Sequence, residues 1–218
     1  MEREWKLEEV SDGKLYNRND MVKVGCNDCK GCSACCHNMG QSIILDPFDI
    51  CRLTTGLNRT TEELLMYALE LNVVDGIILP NLKMQADNNA CYFLNEEGRC
   101  SIHAVRPGIC RIFPLGRLYE QDSFQYFLQI HECKAEHKTK VKIKHWIDTP
   151  DCQRYEAFVA DWHYWLKQFQ NQVKQGVLQG EELKKINLCI LEMFYLKPYK
   201  TDVDFYQEYE QRKKILGF

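Results

Sequence analysis

No apolar run in the sequence approaches the roughly 18 residues that a membrane-crossing helix needs, so no such span is expected. Large blocks of single-sign charge are also missing: 28 Lys and Arg stand against 31 Asp and Glu, a net charge of −3. That balance makes nucleic acid a poor partner. The N-terminal string MEREWKLEEVSDGK lacks the apolar stretch of a secretory signal, so a reducing, cytoplasmic setting is expected. Neither a glycine-rich dinucleotide loop nor an uninterrupted C-x3-C-x2-C motif is present. A chain of 218 residues suits one domain or a domain with an appendage. It should bury roughly 70% of its unfolded surface, so its core does not need disulfides.

What the chain does have is 12 cysteines, unevenly spread. Cys26, Cys29, Cys32, Cys35 and Cys36 fall in the string CNDCKGCSACCH. Cys51, Cys91, Cys100, Cys110 and Cys133 follow, and only Cys152 and Cys189 lie in the last third. In a reducing compartment such thiols point to metal binding or redox chemistry. C-x2-C spacing puts two thiolates on one tight turn within reach of one metal. Here it occurs three times in succession, from Cys26 to Cys29, Cys32 and Cys35. Cys26, Cys29, Cys32 and Cys36 also satisfy the C-x2-C-x2-C-x3-C spacing of bacterial ferredoxins, with His37 where proline would stand. Five surface thiols without a metal would be an oxidation liability. Side chains of the adjacent pair Cys35-Cys36 diverge, which argues for a polynuclear or two-site arrangement over one zinc knuckle.

Local patterns predict the elements. QSIIL (41–45) reads as a short strand, and Asp46-Pro47 as an N-cap and first position of a helix through Leu53. Thr60 and Glu63 form a capping box for a second helix. Residues 76–84 read as extended with Pro80 at an edge or break, residues 91–117 as short pieces and turns, and FQYFLQI (124–130) and VKIKHW (141–146) as strands. Tyr155, Phe158, Val159, Trp162, Leu166, Phe169 and Val173 form one helical stripe within 150–174, where Trp162 and Trp165 are expected in the core. Further helices are expected over 181–196 and from Thr201. The fold expected is therefore α+β and mainly helical. It comprises a small, irregular, cysteine-rich metal-binding core with a few short strands (1–148) and a C-terminal helical segment packed on it (149–218).

The motifs occur in a familiar order. Cys29, Cys32, Cys35 and Cys36 precede Cys91-Tyr92-Phe93-Leu94, then Gly98-Arg99-Cys100-Ser101-Ile102-His103, Val105-Arg106-Pro107 and Cys110-Arg111-Ile112-Phe113-Pro114. Over roughly residues 26–135 the chain resembles the CxxCxxCC family of YkgJ-like, zinc- or iron-chelating cysteine-cluster proteins. It is also similar to the cysteine-rich region of flagellin lysine N-methylases. The resemblance implies Cys29, Cys32, Cys35, Cys36, Cys91, Cys100, Cys110 and Cys133 as metal ligands, enough for two four-ligand sites. Cys26 is an extra upstream cysteine, and the tail from Pro150 carries no family motif.

Further candidates come from the residues alone. His37 and His103 adjoin the motifs and could complete a coordination shell, as could His131 beside Cys133, whereas His137, His145 and His163 read as surface or core residues. Arg106 and Arg111 lie near cysteines, where guanidinium groups would stabilise an anionic thiolate cluster or recognise an anionic substrate. Cys51, Cys152 and Cys189 read as small packed hydrophobes. Thiolate-rich ligation suits both zinc and iron–sulfur. The surplus of thiols favours an iron–sulfur cluster, 4Fe–4S above others, with zinc as the alternative. Three functions follow: electron transfer, metal delivery or sensing; a protein- or peptide-modifying, methylase-like enzyme; or a structural zinc module that presents the tail to a partner. A protein or peptide partner is compatible with each.

Overall fold

The computed structural model of the chain describes residues 7–26, 29 and 32–216. It is 44% helix and 23% strand, with the strands in small separate sheets, so it is α+β and mainly helical as expected. Among the described residues no helix is long and apolar enough to cross a membrane.

A short helix α1 (Leu7–Val10) leads into β1 (Ser11–Tyr16), followed by β2 (Met21–Gly25). α2 spans Pro47–Leu57 and α3 Thr61–Tyr67. Both begin with reciprocal capping boxes, Asp46 with Asp49 and Thr60 with Glu63, which satisfy backbone N–H groups that lack a helical partner. α2 runs one turn past Leu53 and stops where Asn58 turns left-handed. β3 (Leu69–Val74) and β4 (Ile77–Leu82) form an antiparallel hairpin. Its turn is Asp75-Gly76, both at positive φ as a tight two-residue hairpin requires. Pro80 sits inside β4 opposite Leu71, rather than breaking it. The 41–45 stretch forms no full strand. Ile43 and Leu45 each make one backbone hydrogen bond to β4, and Ile44 makes a single bridge to Asn81.

α4 (Gly108–Ile112) precedes β5 (Leu115–Glu120) and β6 (Ser123–Gln129). These form a three-stranded antiparallel sheet in the order β1-β6-β5. β7 (Thr139–Lys142) pairs with β2. The expected strand over 141–146 thus ends early. Residues Ile143–Ile147 instead wind into α5, which buries Ile143 and Ile147.

The tail is α6 (Cys152–Lys174), α7 (Gly180–Ile190), a π-helical extension over Leu191–Leu196, and α8 (Phe205–Ile215). α8 starts later than Thr201, because the Asp204 carboxylate accepts from Gln207 N and caps it there. The α6 stripe is buried as the periodicity predicts, and Trp162 and Trp165 stack with ring centroids 5.2 Å apart in the core. One apolar cluster runs from Val22 and Val24 on β2 to Tyr209 on α8. Polar contacts reinforce the junction: the Tyr195 hydroxyl donates to Leu45 O at 3.1 Å, and Thr61 Oγ1 donates to Tyr195 O at 2.5 Å. Cys51 and Cys152 are half-buried against this cluster, but Cys189 is exposed on α7. The expectation that Cys189 packs inside fails. It lies one residue before buried Ile190 and two after buried Asn187, so the helical phase turns it outward.

Candidate metal centre

Backbone i,i+3 hydrogen bonds close the first two C-x2-C repeats, and a further one joins Cys36 to Ser33. Cys29 N donates to Cys26 O at 3.2 Å, Cys32 N to Cys29 O at 3.0 Å, and Cys36 N to Ser33 O at 2.8 Å. Cys29 takes a left-handed backbone (φ 56°), and the last turn is a 3-10 helix over Ala34–Cys36. Cys26 and Cys29 Sγ stand 3.5 Å apart.

Long-range pairing brings the later cysteines to this string. Cys91 N donates to Cys36 O at 2.7 Å, and His37 bridges to Ala90. A tight turn through Gly98 (φ 69°) folds Cys100 back beside Leu94. Cys110 arrives on α4, whose position α2 sets: Asp49 Oδ1 accepts from Gly108 N at 2.7 Å and fills the open N-terminus of α4. Gly108 must be glycine there, since a Cβ would lie 2.1 Å from Tyr155 Oη.

Two adjoining cavities result. The first, of about 80 Å³, is lined by Cys29, Cys32, Cys35, Cys36, Cys91, Cys100 and Cys110. Its remaining walls include Met39, Ile43, Leu82, Met84, Ile102 and Phe113, with Arg99, His103 and Arg106 as the polar members. The second, of about 20 Å³, is lined by Cys26, Cys29, Cys32, Cys35 and Cys133, together with Glu132 and Trp146. Cys36, Cys91, Cys100 and Cys110 therefore face only the first, Cys26 and Cys133 only the second, and Cys29, Cys32 and Cys35 both. The neighbours Cys35 and Cys36 do not diverge as expected: both line the first cavity with their thiols in hydrogen-bonding contact, and only Cys35 also reaches the second.

Among the described residues no three Cys, His, Asp or Glu side chains are already grouped tightly enough to hold a metal ion. The donor set nevertheless has the chemistry of a soft-metal site: many thiols and few carboxylates on apolar walls. Burial pushes these thiols towards the protonated form. Cys29 is raised to about 12, Cys91 and Cys100 upward, and Cys110 well above its ordinary value, while in Cys35 the hydrogen bond to Cys36 is the larger cause. A bound cation reverses that balance, because a coordinating thiol is deprotonated outright.

The comparison with protein families decides what kind of chain this is. The model of the CxxCxxCC family, described as a putative zinc- or iron-chelating domain, matches residues 28–138, just over half of the chain. The chain belongs to the CxxCxxCC family. Metal binding is the property this membership carries. The match contains every thiol from Cys29 to Cys133 but begins after Cys26. No curated protein and no solved structure matched the chain.

The other candidates separate clearly. Arg106 lines the first cavity, and its positive charge opposes the upward shift of Cys29, Cys35 and Cys100. Its Nη1 lies 2.9 Å from His103 Nε2. A guanidinium only donates, so that Nε2 accepts and its lone pair is engaged. His103 thus lines the first cavity, whereas His37 and His131 line neither. Arg111 does not face the thiols. It is buried and donates from Nε to Arg106 O, and from Nη1 to Asp148 O, Ile147 O and Thr149 Oγ1, pinning the segment after α5. Arg99, Met39, Met84 and Asp49 were not singled out from the sequence. Only Arg99 carries a signal there, its adjacency to Cys100.

Proposed function

We propose that the chain carries two metal centres, one per cavity, and that these are iron–sulfur clusters of the 4Fe–4S type. The observation that carries this reading is how the ferredoxin-like run divides. In two-cluster ferredoxins the fourth cysteine of the C-x2-C-x2-C-x3-C run ligates the other cluster. Here Cys36, Cys91, Cys100 and Cys110 line only the first cavity and Cys26 and Cys133 only the second, while Cys29 and Cys32 line both and would complete the second set. That makes two sets of four, with Cys35 between them. Single zinc sites close with four ligands and leave no surplus. The groups would supply reversible one-electron chemistry in electron transfer, metal delivery or sensing. The protein's own contribution is a largely apolar wall, which excludes water, and the Arg106 charge, which offsets the negative thiolate cluster and raises its potential.

Protein purified without oxygen should be brown, with about eight iron and eight acid-labile sulfide per chain. A colourless preparation containing zinc alone would refute the clusters and leave zinc chelation. Metal uptake by the apo-protein should also release protons. Cys29, Cys35, Cys91, Cys100 and Cys110 are raised above their ordinary pKa, so each of them that binds as thiolate gives up a proton. Apparent affinity should therefore rise with pH, about tenfold per unit for each proton released, until the pH passes the raised thiol values. A pH-independent affinity between pH 6 and 8 would mean that thiols are not the ligands.

A further inference from the structure

A third opening adjoins the two cavities. It is a cleft of about 560 Å³, a volume suited to a small organic molecule, and Cys26, His103, Arg106, Arg111, His145 and Asp148 contribute to its lining. Arg106 and His103 line both this cleft and the first cavity, and Cys26 lines both this cleft and the second. The cleft thus borders both thiol sets.

Its charge is one-sided. Among the described residues no carboxylate pairs with Arg106, whose guanidinium contacts only the His103 ring. Arg111 is 4% exposed and its Nη2 has no hydrogen-bond partner. Among the described residues that line the cleft, two guanidinium groups therefore stand against a single carboxylate, that of Asp148. A buried donor without a partner is costly, and an arginine with no acid beside a cleft is the usual means of holding an oxyanion, because its planar fork matches carboxylate and phosphate.

We propose that this cleft binds a small oxyanion-bearing molecule, a carboxylate or a phosphate, with Arg106 as the recognising group between the ligand and the thiol cavities. The site depends on the cleft alone and holds whether the centres carry iron or zinc.

The test is calorimetric titration of the metal-loaded protein with succinate and, separately, with inorganic phosphate, at constant ionic strength set by chloride. Saturable binding of at least one is expected, and the one that binds names the class. Arg106→Gln should weaken it by roughly tenfold or more per metal-loaded chain. Should Arg106→Gln lose metal, Arg106→Lys keeps the charge but removes the fork, and it should weaken binding too. Binding of neither probe, or binding unchanged in both variants, overturns the proposal. Loss of metal in both variants overturns it as well, since Arg106 would then serve the thiol centre and not a ligand.

Discussion

In protein purified without oxygen, Cys110→Ser should retain about half of the wild-type iron and sulfide, and Cys133→Ser the complementary half. Cys110 faces only the first cavity and Cys133 only the second, so each substitution removes a thiolate from one set. The double variant should be colourless. Stability should follow metal content, because among the described residues no three donors are grouped for a metal beforehand, and drawing them together couples ligation to folding. The thermal midpoint of each single variant should fall well below that of wild type, and Cys189→Ser, exposed on α7 and outside both cavities, should match wild type in every respect. If either single variant loses all its iron, the two centres are one. If Cys189→Ser loses iron, the ligand assignment itself is wrong.

Arg212→Ala should cost about 3–5 kcal/mol of folding free energy, the scale expected when one partner of a buried ion pair is removed. Arg212 and Glu208 side chains are 2% and 9% exposed, and their N–O distance is 2.6 Å. The same guanidinium donates to Met193 O, Lys197 O and Pro198 O, and its central carbon lies 3.7 Å from the Tyr199 ring centroid. Truncation leaves a buried Glu208 and three backbone carbonyls without that donor. The consequence should reach the metal centres. The π-helical extension that Arg212 closes holds Tyr195, which donates to Leu45 at the entrance to α2, and α2 carries the Asp49 that positions Cys110. We therefore propose that 1–148 and 149–218 unfold together, and that Arg212→Ala lowers the single transition seen by circular dichroism and by cluster absorbance alike. Two separate transitions, with the absorbance change unshifted, would show instead that the tail folds independently.

Local chemistry was readable where it is settled by residues a turn apart. The N-cap at Asp46, the capping box at Thr60 and the α6 stripe are i,i+3 or i,i+4 relations, and all three appear as expected. β1 was not legible, since its residues Ser11–Tyr16 are mostly exposed and show no apolar alternation. The 141–146 stretch misled because a β-branched alternation and a short helix share the same few apolar residues, and Ile143 and Ile147, four apart, fall on one face in either. Arg111 was misplaced for a related reason. Adjacency to Cys110 does not say which way its side chain points, and on α4 it turns toward Asp148 rather than the thiols.

By itself the sequence determined that the chain is cysteine-rich in a clustered pattern, which thiols are candidates, and that a helical tail follows. It did so because C-x2-C spacing fixes proximity within one turn. Only the tertiary structure decided how those thiols divide. Cys36, Cys91, Cys100 and Cys110 are separated by up to 74 residues, and they face one cavity because Cys91 N pairs with Cys36 O and Asp49 anchors α4. The same packing sets Cys26 and Cys133 on the other side and leaves Arg106 between the thiols and an open cationic cleft. Such placements depend on backbone pairing between distant segments, which spacing along the chain does not encode.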